Sequence, residues 1–227
     1  MDFIELKTGL SVEAEKIDAF RIEKKFSRYI YLIAGVHGDE VEGVYVLNRL
    51  FSWLRENEDI EIPLIVLPVL NVDGYRTSSR VNSNGVDLNR NLPSTSWNEV
   101  HEEKKYFPGK EALSEPESKY FVKILDKFEP GLIISLHSWK PILNYNGDCQ
   151  ELAGYIGEFN KYPVEGDIGY PTPGSLGDFA PEKYNCPVIT YELPRISDDK
   201  SLKDIWEENT VALKKIFESE VLHGFLN

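Results

Sequence analysis

The pentapeptide Val36-His37-Gly38-Asp39-Glu40 sets an imidazole and a carboxylate three residues apart. It follows an apolar run from Tyr29 to Gly35 and precedes a helical pattern, so both side chains leave a strand end and can enter one cavity. Imidazole nitrogen and carboxylate oxygen together suit zinc, and a catalytic zinc takes three protein ligands with the fourth position open. A third ligand is therefore expected. Of the four histidines, His137 ends a second buried-looking run, Leu132 to Leu136, and so shares the strand-exit placement of His37. His101 and His223 have no carboxylate at a ligand spacing and read as structural residues. A third run, Val188 to Tyr191, delivers Glu192 in the same way. Ligands of open α/β sheets gather outside the carboxyl ends of the strands. Two histidines and two glutamates in such places are one carboxylate more than the metal needs, and the spare one suits a general base.

The elements that position these residues follow from periodicity. Strands are expected near Phe3 to Leu6 and Ala19 to Glu23, then from Tyr29 to Gly35. Val41, Val44, Leu47, Leu50, Phe51 and Leu54 recur at helical spacing, with Glu42, Asn48, Arg49 and Arg55 on the other face. A buried strand lies within Glu61 to Leu70, with prolines at its ends. Residues 71 to 92 turn polar and lose any apolar period, which marks a long functional loop carrying Arg76, Arg80 and Asp87 to Asn91. Ser114, Pro116 and Glu117 mark a helix start whose buried face is Phe121, Ile124, Leu125 and Phe128, and Pro130-Gly131 ends it. A short helix spans Leu152 to Phe159. The segment from Pro163 to Pro181 holds four glycines and four prolines, too many breakers for regular structure, and reads as a substrate-facing loop. A final helix carries Leu202, Ile205, Trp206, Leu213, Ile216 and Phe217.

At 227 residues the chain suits one α/β domain with a substantial core, and no linker divides residues 1 to 227. The pattern predicts a mixed, mostly parallel twisted sheet flanked by helices. Hydrophobic residues make up 41% and charged residues 28%, ordinary values for a soluble globular protein. A net charge of -13 argues against nucleic-acid partners, which need basic stripes. Charge runs are short and mixed, as at residues 55 to 59. No apolar run is long enough for a membrane span, and the N-terminus lacks the pattern of a secretory signal, so residence in the cytoplasm is expected. There the two cysteines, Cys149 and Cys186, are expected to stay reduced.

With these residues assembled, the chain resembles the zinc carboxypeptidase family across nearly its whole length. The resemblance rests on His-Gly-Asp-Glu at 37 to 40, Asn-Val-Asp-Gly at 71 to 74, Asp-Leu-Asn-Arg-Asn at 87 to 91, His137, and Thr-Tyr-Glu-Leu at 190 to 193. Within the family, the segments 169 to 177 and 189 to 194 look like those of the small cytoplasmic murein tripeptide amidases, which cut between γ-D-glutamate and meso-diaminopimelate. The resemblance implies one zinc ion per chain held by His37, Glu40 and His137, with Glu192 as general base. It implies that Asn89 and Arg90 grip the free carboxylate of the residue released. It gives Arg80 the role of stabilising the oxyanion, with Arg76 close enough to compete, and Tyr170 that of a tyrosine over the substrate. The implied partner is a small anionic peptide, processed in cell-wall peptide recycling.

Asp87 reads as a brace for the loop or for a ligand. Trp139 and Tyr145 either line the pocket or pack, and Arg195 faces either pocket or solvent. Two other classes of function compete. A zinc deacylase of the aspartoacylase kind shares His-Gly-x-Glu and Asp-Leu-Asn-Arg but acts on N-acyl amino acids. A non-catalytic binding module would have no use for Glu192.

Overall fold

The structure is a computed structural model that describes residues 1–57, 60–197 and 199–226. Residues 58 and 59, the end of the mixed-charge run, lie outside the described residues. Ten strands are present among those described: β1 Phe3–Glu5, β2 Gly9–Leu10, β3 Lys16–Ile17, β4 Phe20–Ile22, β5 Tyr29–Ala34, β6 Leu64–Leu67, β7 Pro130–Trp139, β8 Ile142–Asn146, β9 Val164–Glu165 and β10 Val188–Pro194. Between and after them run α1 Val41–Glu56, α2 Val72–Thr77, α3 Pro116–Lys127, α4 Gln150–Asn160, α5 Leu176–Tyr184, α6 Leu202–Ile216 and α7 Glu220–His223.

Eight strands form one mixed sheet in the order β1-β4-β6-β5-β7-β10-β8-β9, and β2 pairs with β3 apart from it. The central pairs β5 with β6, β5 with β7 and β7 with β10 are parallel. A parallel sheet is buried on both faces, so its strands read as continuous apolar runs. Alternate residues then serve opposite layers. Ile30, Leu32 and Ala34 of β5 pack with Leu47 and Leu50 of α1 and with Ile205 and Leu213 of α6. Tyr29, Tyr31 and Ile33 pack on the other side with Phe121 and Leu125 of α3 and Phe179 of α5. The Tyr31 hydroxyl, buried at the sheet, donates to the Phe128 carbonyl.

Several expectations need correction. The polar stretch from Asn71 to Leu92 holds α2 and a 3-10 turn, Leu88–Arg90, because polar side chains cap them: the Asn71 side chain accepts from the Gly74 amide and the Asp87 side chain from the Asn89 amide. The breaker-rich segment contains β9 and the start of α5, whose N-cap is Ser175 and which tolerates Pro181 within it while burying Leu176, Phe179 and Ala180. Pro130 and Gly131 open β7 rather than end α3. The strand β8 and the small β2–β3 pair had no alternating pattern to announce them. Glu42 does not face solvent; it is 1% exposed. Cys149 and Cys186 are both free and buried, with burial pushing each thiol up to about 12.

Candidate active site and metal centre

The site forms at the carboxyl ends of β5, β7 and β10. In the parallel pairing of β7 and β10, Glu192 lies directly opposite His137. Paired residues of adjacent strands project to the same face, so the carboxylate and the imidazole share one side of the sheet. Both lie inside their strands, not past the ends as the apolar runs suggested. His37 and Glu40 arrive from the turn between β5 and α1.

Two close backbone approaches hold that turn in place, and each requires glycine. A Cβ on Gly38 would stand 2.0 Å from the Gly74 carbonyl carbon, so the turn lies directly on α2. A Cβ on Gly43 would meet the Leu136 carbonyl oxygen at 2.7 Å, which lets the first turn of α1 rest on the strand carrying His137. The ligand set is thus clamped between two backbones.

Nδ1 of His37 and Nδ1 of His137 lie 3.2 Å apart. The Glu40 carboxylate reaches both, with Oε1 2.7 Å from His37 Nδ1 and Oε2 2.8 Å from His137 Nδ1. All three residues are buried, and their ligand atoms lie within 4.8 Å of one another. Two imidazole nitrogens and a carboxylate converging at this spacing fit a zinc ion with metal–donor distances of about 2.0 to 2.2 Å. The other nitrogen of His37, Nε2, is 3.1 Å from Asp87 Oδ1. A proton on Nε2, donated to Asp87, leaves the Nδ1 lone pair pointing at the ligand cluster, the usual way a carboxylate orients a metal-binding histidine. Asp87 is also fully buried.

Charges around the cluster are strongly coupled. Burial drives the Glu40 carboxyl up, but His37 and His137 outweigh it and hold it well below the usual range. Burial drives the His37 imidazole down, and Glu40 and Asp87 overcome this to leave it raised. Glu192 behaves differently. Burial pushes its carboxyl up to about 7, against the pull of His137 and Arg80. Its Oε2 is buried and has no hydrogen-bond partner among the described residues.

Arg80 stands beside the cluster. Its Nε and Nη2 donate to Asp87 Oδ2 at 3.1 and 2.8 Å, while Nη1 lies 3.7 Å from Glu40 Oε1. Arg76 is turned away toward Glu15 at the surface, with its side chain 59% exposed. Arg90 is buried, donates through Nη1 to the Asn89 carbonyl at 2.7 Å, and shares the Tyr106 ring with Arg80. The Asn89 side-chain oxygen accepts from the Leu176 amide at 2.9 Å, which ties the 71-to-92 segment to the start of α5. Tyr170 is half-exposed and meets the Trp139 ring edge-on at 6.2 Å. Trp139 therefore belongs to the rim, whereas Tyr145 packs against the core. His101 is exposed and rests against Phe107.

Two residues escaped the sequence reading. Arg195, left unplaced there, donates to the Asp39 carbonyl at 2.6 Å and reaches within 3.8 Å of Glu40 Oε1. Its position three residues after Glu192 was the available signal. Glu42 was assigned to the polar face; the glycine that follows it was the sign of a helix start pressed against a strand.

Across the described residues no helix is long and apolar enough to cross a membrane. The family described as zinc carboxypeptidase matches residues 2–155. The chain is 31% identical over 181 residues to murein peptide amidase A of Escherichia coli strain K12, covering 75% of this chain and 73% of that protein. It is 30% identical over 185 residues to murein peptide amidase A of Vibrio campbellii, covering 76% and 72%. The solved structure of the murein-tripeptide amidase MpaA from Escherichia coli O157 superposes with a TM-score of 0.77 over 97% of this chain and 93% of that one, at 24% identity, which shows a shared fold. A converging His37, Glu40 and His137 cluster at the end of a mostly parallel sheet and a family match spanning more than half the sequence lead to one conclusion: the chain belongs to the zinc carboxypeptidase family and is a zinc metallopeptidase or amidase of that type.

Proposed function

We propose that this protein hydrolyses the amide between γ-D-glutamate and meso-diaminopimelate in the murein tripeptide L-Ala-γ-D-Glu-meso-diaminopimelate, acting as one catalytic domain over residues 1 to 227. The reading is supported by likeness to two murein peptide amidases over three-quarters of the chain. The observation that carries the chemistry is the Glu192 carboxylate, set across from the ligand His137 with one oxygen buried and unpartnered.

His37, Glu40 and His137 are the residues that would hold zinc. When bound, zinc polarises a carbonyl oxygen and brings the pKa of water toward roughly 7. Glu192 takes the proton of the attacking water and later gives it to the departing amine. A carboxylate whose protonated form is already favoured by burial is suited to both halves of that exchange. Arg80, fixed by its two bonds to Asp87, places a permanent positive charge where the carbonyl oxygen gains negative charge. Arg90 grips the free carboxylate of the diaminopimelate being released. Asn89, whose oxygen is committed to Leu176, offers its amide N–H groups to the same carboxylate. Tyr170 closes over the substrate from the rim. The peptide is anionic and the chain carries -13, so long-range steering opposes binding and these local cations must supply the attraction.

Recycling of wall peptides in the cytoplasm is the setting this reading implies. The test is to incubate zinc-loaded protein with the tripeptide, with analogues lacking or amidated at the diaminopimelate carboxylate, and with N-acyl amino acids, and to read products by mass. Cleavage of the tripeptide to L-Ala-D-Glu and diaminopimelate, with the altered peptides cut poorly, is expected. A preference for N-acyl amino acids would replace the reading with a deacylase.

A further inference from the structure

We propose that Arg195 is a specificity-determining residue that binds a free carboxylate on the acyl side of the scissile bond, and so selects a glutamate there that keeps one carboxyl free; the proposal rests on the murein amidase reading above.

The placement of the arginines carries the argument. Arg80 and Arg195 approach the same ligand oxygen, Glu40 Oε1, at 3.7 and 3.8 Å, but they come from different segments. Arg80 belongs to the stretch after α2 and is fastened to Asp87 by two hydrogen bonds. Arg195 leaves the end of β10, just past Glu192, and its hydrogen bonds among the described residues go to Asp39 alone, at 2.6 Å to the carbonyl and 3.4 Å to Oδ2. Arg90 lies beyond Arg80, facing Asp87, Tyr106 and Tyr170. Arg80 and Arg195 thus both reach the ligand cluster, whereas Arg90 belongs with Arg80 to the segment after α2 and Arg195 alone comes from the end of β10. If Arg90 takes the carboxylate of the amine-side residue, Arg195 stands beside the acyl-side residue.

A guanidinium in that place has donors to spare. Five N–H groups in a rigid fork suit a carboxylate, and its side chain is 39% exposed. Of the acids around it, Glu42 is committed to Ser138 and Ile196, Glu40 belongs to the ligand set, and Glu192, which also feels its charge, is the proposed base. Asp39 remains as the immediate counter-charge, held at long hydrogen-bond range, and such a contact is readily exchanged for a substrate carboxylate.

The chemistry of the linkage supplies the ligand. A residue joined through its γ-carboxyl keeps its α-carboxylate free, four carbon–carbon bonds from the scissile carbonyl, or about 5 Å at roughly 1.5 Å per bond with a zigzag chain. An acyl-side residue with a neutral side chain has no such group there, whereas a glutamate carries one carboxylate at this distance whichever of its carboxyls is linked. Arg195, within 3.8 Å of a metal-ligand oxygen, is placed to reach this carboxylate.

The experiment compares two substrates: the tripeptide with free γ-linked D-glutamate, and the same peptide with that α-carboxylate amidated. Wild-type protein is expected to prefer the free carboxylate by roughly 10- to 100-fold in kcat/KM, the size of a hydrogen bond to a charged group. In Arg195→Gln that ratio should fall to near one, with Arg195→Lys between. Titration calorimetry on zinc-loaded protein should show the loss in binding of L-Ala-D-Glu, while binding of meso-diaminopimelate follows Arg90→Gln instead. Zinc content and melting temperature of each variant establish that it is folded and loaded. An Arg195→Gln protein that loses activity equally on both substrates, or keeps the wild-type ratio, overturns the proposal and leaves Arg195 as a counter-ion for Asp39. Wild-type protein that cuts neither peptide overturns the amidase reading itself, a result distinct from cutting both without preference, which overturns only the role of Arg195.

Discussion

Glu42 accepts a 2.6 Å hydrogen bond from the Ser138 hydroxyl, and its second oxygen accepts the Ile196 amide at 2.8 Å. One buried carboxylate thereby joins the start of the helix after Glu40 to the exits of the two strands that carry His137 and Glu192. The Ser138 amide adds a bond to Glu40 Oε2 at 3.2 Å. The spacing between Glu192 and the His37, Glu40 and His137 cluster is set by this junction. It explains why a charged residue is retained in the interior: its desolvation is offset by donors on both oxygens.

Glu42→Ala should therefore destabilise the fold by about 1 to 3 kcal/mol, because it leaves the buried Ser138 hydroxyl and the part-buried Ile196 amide without an acceptor. Glu42→Gln keeps an acceptor and should recover most of the loss. Denaturant titration of both variants is the check. Equal stability of the alanine variant and the wild type would show that the junction contributes nothing.

Zinc should bind at about one equivalent per chain and raise the melting temperature, since a ligand that binds only the folded state stabilises it by mass action. His137→Ala removes one of three ligands and should lose both the stoichiometric zinc and the thermal response. Metal analysis after dialysis, paired with melting curves with and without added zinc, reads both effects. Retention of full occupancy would mean that the cluster is not the metal site.

The ligand cluster was legible because each member sits at the end of an apolar run, and runs of that kind are the strongest signal a buried parallel strand leaves. What was hidden followed from local capping and close approach. Nothing in residues 71 to 77 has an apolar period, yet Asn71 folds its side chain onto Gly74 and starts α2. Seven residues of breaker-rich sequence before α5 masked the Ser175 cap. Glu42 looked solvated because an acid in a helix's first turn usually is, but the close approach of Gly43 to the β7 backbone and the bonds to Ser138 and Ile196 enclose it. Charge partners are the least visible of all: the pairing of Asp87 with both His37 and Arg80 joins positions 50 and 7 residues apart in sequence.

Glu192 gives a pH signature in metal-free protein. Its folded-state carboxyl is pushed up to about 7 by burial, above the unfolded value of about 4.3. A raised carboxyl binds its proton more tightly when folded, so its stabilising contribution is complete at acid pH below the unfolded value and is lost as pH rises through 7. Glu192→Gln removes that loss. After treatment with chelator, the glutamine variant should match wild type near pH 4 and exceed it by about 1 to 3 kcal/mol at pH 8, allowing for partial exposure. A stability gap independent of pH would show that the carboxyl titrates normally. With zinc restored, the same variant should keep the metal and lose on the order of 10²- to 10⁴-fold in kcat.

Asp87 links the last two parts of the site, with Oδ1 on His37 Nε2 at 3.1 Å and Oδ2 on Arg80 Nη2 at 2.8 Å. Its substitution should therefore have two separable consequences. Asp87→Ala releases the His37 ring, and loss of such an outer carboxylate typically weakens metal binding by about 10- to 100-fold. It also frees the Arg80 fork from its two bonds to Asp87, on which its proposed role at the carbonyl depends. Arg80→Ala alone should keep zinc affinity and lower kcat more than it changes KM, because its charge acts on the transition state. If the Asp87 effect on kcat at saturating zinc runs through Arg80, the double variant should be no slower than Arg80→Ala. Fully additive losses in kcat would show that Asp87 reaches the reaction by another route, through His37 alone.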